Sequence, residues 1–100
     1  MISASASLDQ KDYAKSIVFL ERAIRLSPRE ADLWIRLSDS HLKEGNFNIS
    51  EQYARKAIAL SRGNSATHRL AWLQLAKVFE KTGKPKEASK LRRKYQFVTG

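Results

Sequence analysis

The chain has 100 residues with 42% hydrophobic content, enough for one small domain but marginal for a compact core, so a stack of mutually covering helical hairpins is the other arrangement open to it. A formal charge of +9 would draw acidic proteins, nucleic acid or anionic lipid, and chooses among none of them. The absence of cysteine excludes disulfides, thiolate catalysis and Cys-based metal sites. No apolar run approaches the length of a bilayer span, and Met1–Leu8 lacks the basic start and apolar centre of an export signal. The expectation is a soluble chain without membrane insertion, cytoplasmic or, if an export signal has been removed, periplasmic.

Two prolines and four glycines among many Ala, Leu, Lys, Arg and Glu predict an all-α chain. Met1–Gln10 is small and polar and reads as a frayed or short first helix. Asp9 and Asp12 are placed to cap a helix from about Asp12 to Leu26, whose apolar face is Tyr13, Ile17, Leu20, Ala23 and Ile24. Ser27-Pro28 ends it, because proline disfavours helical geometry in the residue before it. From Ala31, Trp34, Leu37, His41 and Leu42 form a stripe at helical spacing. After a turn at Gly45-Asn46, Phe47, Tyr53, Ala54, Ala57 and Ile58 form a second stripe. Ser61–Asn64 turns the chain into a third pattern, with Leu70, Trp72, Leu73, Leu75, Ala76, Val78 and Phe79. Gly83–Pro85 turns it again, into a helix from about Pro85 to Phe97 that starts on a tolerated proline and carries Ala88, Leu91, Tyr95 and Val98.

The pattern repeats. Asp12-Tyr13, Asn46-Phe47 and Lys84-Pro85 open corresponding second helices, and Trp34 and Trp72 mark corresponding first helices. With Trp34, Leu37, Ser38, His41, Gly45, Asn46, Phe47, Ser50, Ala54 and Ala57 in the middle unit, the chain resembles the tetratricopeptide repeat family. Trp72, Leu75, Ala76, Phe79, Gly83 and Ala88 continue the resemblance, and Asp12, Tyr13, Ser16, Ala23 and Pro28 supply the second half of a first unit whose opening helix lacks the Trp and Leu. The resemblance implies one domain over residues 1–100, a short right-handed α-α superhelix of about three antiparallel hairpins. Its units are 1–30, which is incomplete, 31–64 and 65–100. The step from Trp34 to Trp72 is 38 residues (72 − 34), four beyond the family period and close to one helical turn, which predicts a longer linker or helix near Ser65–Leu70. Arg92 stands where the middle unit has Ala54, as suits a terminal cap.

Catalytic and metal motifs are missing. His41 and His68 lack ligand partners at metal-binding spacing. His41 reads as a packing or hydrogen-bonding residue and His68 as a surface residue at a helix start. No phosphate loop, nucleophile elbow or metalloprotease helix occurs, so a non-enzyme without cofactor is expected. Trp34 and Trp72, in matching repeat positions, are expected to be buried at the hairpin interfaces.

Resemblance to the family further implies that the first helices line a concave groove for an extended peptide or partner helix. The groove residues are then Ile35, Arg36, Asp39, Leu42 and Lys43, followed by Leu73, Gln74, Lys77 and Lys81. Their mixed apolar and basic character suits an acidic protein or peptide partner with an aliphatic anchor. The Lys/Asn/Arg set with which chaperone-binding members hold a terminal carboxylate is missing, with Asp39 in place of an amide. Two other readings stand beside this one. The basic helix, with Lys84, Lys86, Lys90, Arg92, Arg93 and Lys94, could hold nucleic acid or another polyanion, with Tyr95 and Phe97 able to stack on bases. The weak first unit could instead leave Ile17, Leu20 and Ile24 open to another copy in a homodimer.

Overall fold

A computed structural model describes the backbone of residues 2–96 and the side chains of residues 12–96. Among the described residues five helices follow one another: α1 (Ile2–Leu26), α2 (Ala31–Lys43), α3 (Phe47–Leu60), α4 (Ser65–Lys81) and α5 (Pro85–Tyr95). There is no strand among the described residues.

The turns show why the chain breaks where it does. Gly45 and Gly83 close α2 and α4 with φ of +85° and +78°, a left-handed geometry that costs a residue with a β-carbon roughly 1–2 kcal/mol. At both corners a backbone N–H reaches back to a helix-end carbonyl, Asn46 to His41 at 2.8 Å and Lys84 to Phe79 at 2.9 Å, so buried helix ends keep their hydrogen bonds. Asn64 caps α4 by accepting from the Thr67 backbone N–H, and Pro85 opens α5 where a missing N–H costs nothing.

Helices α2 and α3 form an antiparallel hairpin, as do α4 and α5, while α1 packs on α2, α3 on α4, and α2 on α4. The core sits between the hairpins. Ala54, Ala57 and Ile58 of α3 meet Ala71, Leu75, Ala76 and Phe79 of α4 and Ala88 of α5, with Trp34, Ile35, Trp72 and Leu91 packed around them. Alanines dominate there because a small side chain lets neighbouring helices approach one another. A reciprocal pair of hydroxyls locks the first hairpin: Ser38 Oγ donates to the Ser50 carbonyl at 2.7 Å, and Ser50 Oγ donates to the Ser38 carbonyl at 2.6 Å. Gln74 of α4, buried to 4% exposure, donates to Ser38 Oγ at 3.2 Å, so the buried polar atoms also set the register between hairpins.

Several expectations change here. The first unit is one continuous helix of 25 residues rather than a short helix followed by another. Asp12 therefore lies inside a helix and caps nothing, while the Asp9 side chain lies outside the described residues. Helix α4 has 17 residues against 13 in α2, and its extra turn absorbs the four-residue excess between the tryptophans. Phe47 and Leu70 are exposed, off the stripes assigned to them. Trp34 and Trp72 are only half-buried, because each keeps its indole N–H at the edge of the core, donating to the Pro28 carbonyl and to His68 Nε2 respectively. Phe97 and Val98 lie outside the described residues.

Candidate partner-binding groove

The first helices do not form the concave surface alone. A hollow of about 850 Å³ is lined by Asp12, Lys15, Ser16, Phe19, Leu20 and Ala23 of α1, together with Leu33, Ile35, Arg36, Asp39 and Ser40 of α2 and Gln74 and Lys77 of α4. An adjoining hollow of about 690 Å³ continues over Leu42, Lys43, Lys81, Glu80 and Arg92. The floor is apolar and the rim is charged.

Of the residues expected in the groove, Ile35, Arg36, Asp39, Gln74 and Lys77 line the first hollow, and Leu42, Lys43 and Lys81 the second. Leu73 lines neither and is half-buried. Leu42 and Gln74 are buried, and the amide of Gln74 is committed to Ser38. Asp39 is the electrostatic centre: Lys43 approaches it at 3.1 Å within α2, and Lys77 at 3.5 Å from α4. Hydrogen bonding to Asp39 holds the Lys43 ammonium above its ordinary pKa. Arg36 pairs with Asp32 at 2.9 Å on an exposed surface, where such a pair adds only about 0–1 kcal/mol and yields readily to a competing carboxylate.

The first-helix positions alone do not include the α1 half of the groove, whose signal lies in the repeat register. Aligning Asp12-Tyr13 with Asn46-Phe47 also aligns Ser16 with Ser50, Phe19 with Tyr53, Leu20 with Ala54 and Ala23 with Ala57. The α1 face is thus the counterpart of the α3 face that receives α2. Among the described residues, the large apolar side chains of α1 that stand open to solvent are Val18, Phe19 and Leu26, with Phe19 71% exposed. Leu20 is buried and Ile17 and Ile24 half-buried, so the three residues expected to be open to another copy are not the exposed ones.

The basic helix divides. Lys86, Lys90 and Arg93 share one edge of α5. Arg92 instead turns toward α4 and grips Glu80 through two hydrogen bonds of 2.6 and 2.8 Å. Hydrogen bonding to Arg92 holds the Glu80 carboxyl below its ordinary value. Lys84 lies over the Phe79 ring and Lys94 over the Tyr95 ring, while Tyr95 stacks on Trp72 with ring centres 5.3 Å apart and planes 4° from parallel. Packing against Trp72 thus occupies one face of the Tyr95 ring.

Both histidines are joined to the scaffold. His41 is buried between Asn46, at 3.0 Å from Nδ1, and the edge of Tyr53, and burial pushes its pKa below the usual value against the pull of Glu21 and Glu44. His68 is half-buried rather than a plain surface residue. An indole N–H only donates, so Nε2 of His68 accepts from Trp72 and the ring proton sits on Nδ1, facing Ser61 Oγ at 3.1 Å. Ser61 Oγ in turn donates to the Ile58 carbonyl at 3.2 Å. Among the described residues no group of three or more His, Asp or Glu side chains is placed to hold a metal ion, and no helix is long and apolar enough to cross a membrane.

Comparison with known proteins agrees with this architecture. The chain is similar over 95% of its length to the globular C-terminal domain of P. aeruginosa LpoP, 90% of which is covered, at 29% identity and a TM-score of 0.80. It matches none of the curated proteins with which it was compared. The family model described as tetratricopeptide repeat matches residues 1–30 and 31–64, the single helix α1 with its following turn and then the complete α2–α3 hairpin. These repeats are protein-interaction units, and the chain belongs to the tetratricopeptide repeat family.

Proposed function

We propose that the protein is a non-catalytic interaction module that holds an acidic peptide or partner helix in the groove between α1, α2 and α4. The observation that carries this reading is the pairing of an apolar floor, Leu20, Ala23, Leu33 and Ile35, and the exposed Phe19 ring with the cations Lys15, Arg36 and Lys77, which outnumber the carboxylates Asp12 and Asp39 of the same hollow. A partner gains by burying aliphatic surface on the floor, and its carboxylates are steered by a chain of formal charge +9. Recognition is passive. The exposed Arg36–Asp32 pair exchanges one carboxylate for another at little cost.

The test is co-purification of a partner with the intact chain against the variant Arg36→Gln, Lys43→Gln, Lys77→Gln. Neutral amides are preferable to charge reversal because Asp39 touches both lysines, and reversal would crowd three carboxylates together. Binding that weakens with salt and falls about tenfold or more in the variant is expected. Unchanged affinity for the purified partner would discard the groove.

Polyanion binding along Lys86, Lys90 and Arg93 is the second reading, favoured by their common edge on α5. A fluorescence-anisotropy titration with single-stranded nucleic acid at low salt decides it, and absence of binding removes it.

A further inference from the structure

Resting on the interaction reading, we infer that the groove is built to take an α-helix, and that the partner is an amphipathic helix of another protein with acidic flanks, laid antiparallel to α1. The argument is one of register. Helix α2 is held between α3, which offers Ser50, Tyr53, Ala54 and Ala57, and α4, which offers Gln74 and Lys77. Ser50 exchanges hydrogen bonds with Ser38, Tyr53 meets Trp34 edge-on at 5.3 Å, Gln74 donates to Ser38, and Lys77 reaches Asp39. The same positions recur one unit earlier around the groove, with identical residues at Ser16 and Ala23 and different ones elsewhere, Asp39 standing where α4 has Lys77. On α1, Ser16, Phe19, Leu20 and Ala23 stand in the register of the α3 face. On α2, Arg36 and Asp39 stand 38 positions before Gln74 and Lys77. All six line the first hollow. The groove therefore relates to α1 and α2 as the site of α2 relates to α3 and α4, and what fits such a site is a helix of about three turns.

Register also sets the stripe of that helix. A small or hydroxyl residue would face Ser16, an aromatic would lie against Phe19 as Trp34 lies against Tyr53, and small apolar residues would face Leu20 and Ala23. Charge sets its flanks. Across the two hollows Lys15, Arg36, Lys43, Lys77, Lys81 and Arg92 outnumber Asp12, Asp39 and Glu80, which favours Asp and Glu beside the stripe. A second copy of this chain would bring a like charge of +9 to the encounter, so the occupant is a different, acidic protein.

The test uses a fluorescent peptide spanning Glu30–Glu44 of this chain with Arg36→Glu and Lys43→Glu, an acidic version of the helix that α3 already receives. A second peptide adds Leu37→Pro, which keeps the charge and breaks the helix. Both are titrated against the intact protein, its Phe19→Asp variant, and its Arg36→Gln, Lys77→Gln variant. Phe19 is mostly exposed, so Phe19→Asp should fold, which circular dichroism checks. The expected result is binding of the helical peptide that falls about tenfold or more with Leu37→Pro and with Phe19→Asp. Equal binding of the two peptides, or indifference to Phe19→Asp with loss in the Arg36→Gln, Lys77→Gln variant, overturns the helix while leaving the acidic-partner groove intact. No binding of either peptide at low salt also overturns the helix, the broader reading then being decided by co-purification. A concentration-dependent dimer abolished by Phe19→Asp in analytical ultracentrifugation would overturn it in favour of a second copy.

Discussion

Ser38 and Ser50 each donate a hydroxyl proton to the other's backbone carbonyl, at 2.7 and 2.6 Å, in a fully buried contact between α2 and α3. Each hydroxyl proton is thereby committed, and Ser38 Oγ is left as acceptor for Gln74. Ser38→Ala removes one donor and strands the buried Gln74 amide, so urea unfolding should show a loss of about 1–3 kcal/mol. Ser50→Ala strands no side chain and should cost less. The double variant should lose less than the two single losses combined, because both remove parts of one network. Strict additivity would show that the two hydroxyls act independently.

His41 should make the fold sensitive to mild acid. Its folded-state pKa lies below the ordinary 6.5 because burial disfavours the imidazolium, so the unfolded chain binds the proton more readily. Stability is then full above about pH 6.5 and declines as pH falls from there through the lower folded-state value. Denaturant midpoints measured between pH 7.5 and pH 5 should show this decline, and His41→Phe should flatten it. A decline of the same size in His41→Phe would assign it to other groups.

Glu80 and Arg92 occupy the positions that the apolar Leu42 and Ala54 hold in the preceding hairpin, and they form an ion pair with side chains 42% and 30% exposed. Solvent screening limits such a pair, so Arg92→Ala should cost about 1 kcal/mol or less. Glu80→Leu combined with Arg92→Ala should recover that loss, since it restores the apolar combination. The Glu80 carboxyl has a depressed pKa, so its contribution is present above the ordinary carboxylate value and is lost as pH falls through the folded-state value. Whereas the His41 limb begins near pH 6.5, this acid limb begins at the ordinary carboxylate value. It should disappear in Arg92→Ala but persist in His41→Phe.

Tyr95 holds the end of α5 by stacking on Trp72. Tyr95→Ala should cost about 1 kcal/mol or more through lost stacking and burial, whereas Tyr95→Phe, which keeps the ring, should be nearly neutral. Tryptophan fluorescence, with Trp34→Phe as background, reads both. Equal effects of the two substitutions would place the contribution in the hydroxyl.

The sequence by itself determined the elements that depend on neighbours along the chain. Gly45 and Gly83 mark the corners because a left-handed φ excludes most other residues. Asn64 and Pro85 set helix starts through groups within one turn, and the spacing of Leu37, Ala54, Ala57, Leu75 and Ala88 identifies the buried faces. The excess between Trp34 and Trp72 fixed where the extra turn of α4 lies. Tertiary structure decided what depends on which side chains meet across helices. It joined residues 2–26 into one helix, took Arg92 from the basic face to Glu80, set Asp39 between Lys43 and Lys77, buried Gln74 on Ser38 and tied His68 to Trp72. It also placed α1 in the wall of the groove, where Phe19 stands in the register of Tyr53. Helical periodicity specifies the direction of a side chain about its own axis. The partner it meets is set by how the axes pack, and those distances and charges arise only when the hairpins are stacked.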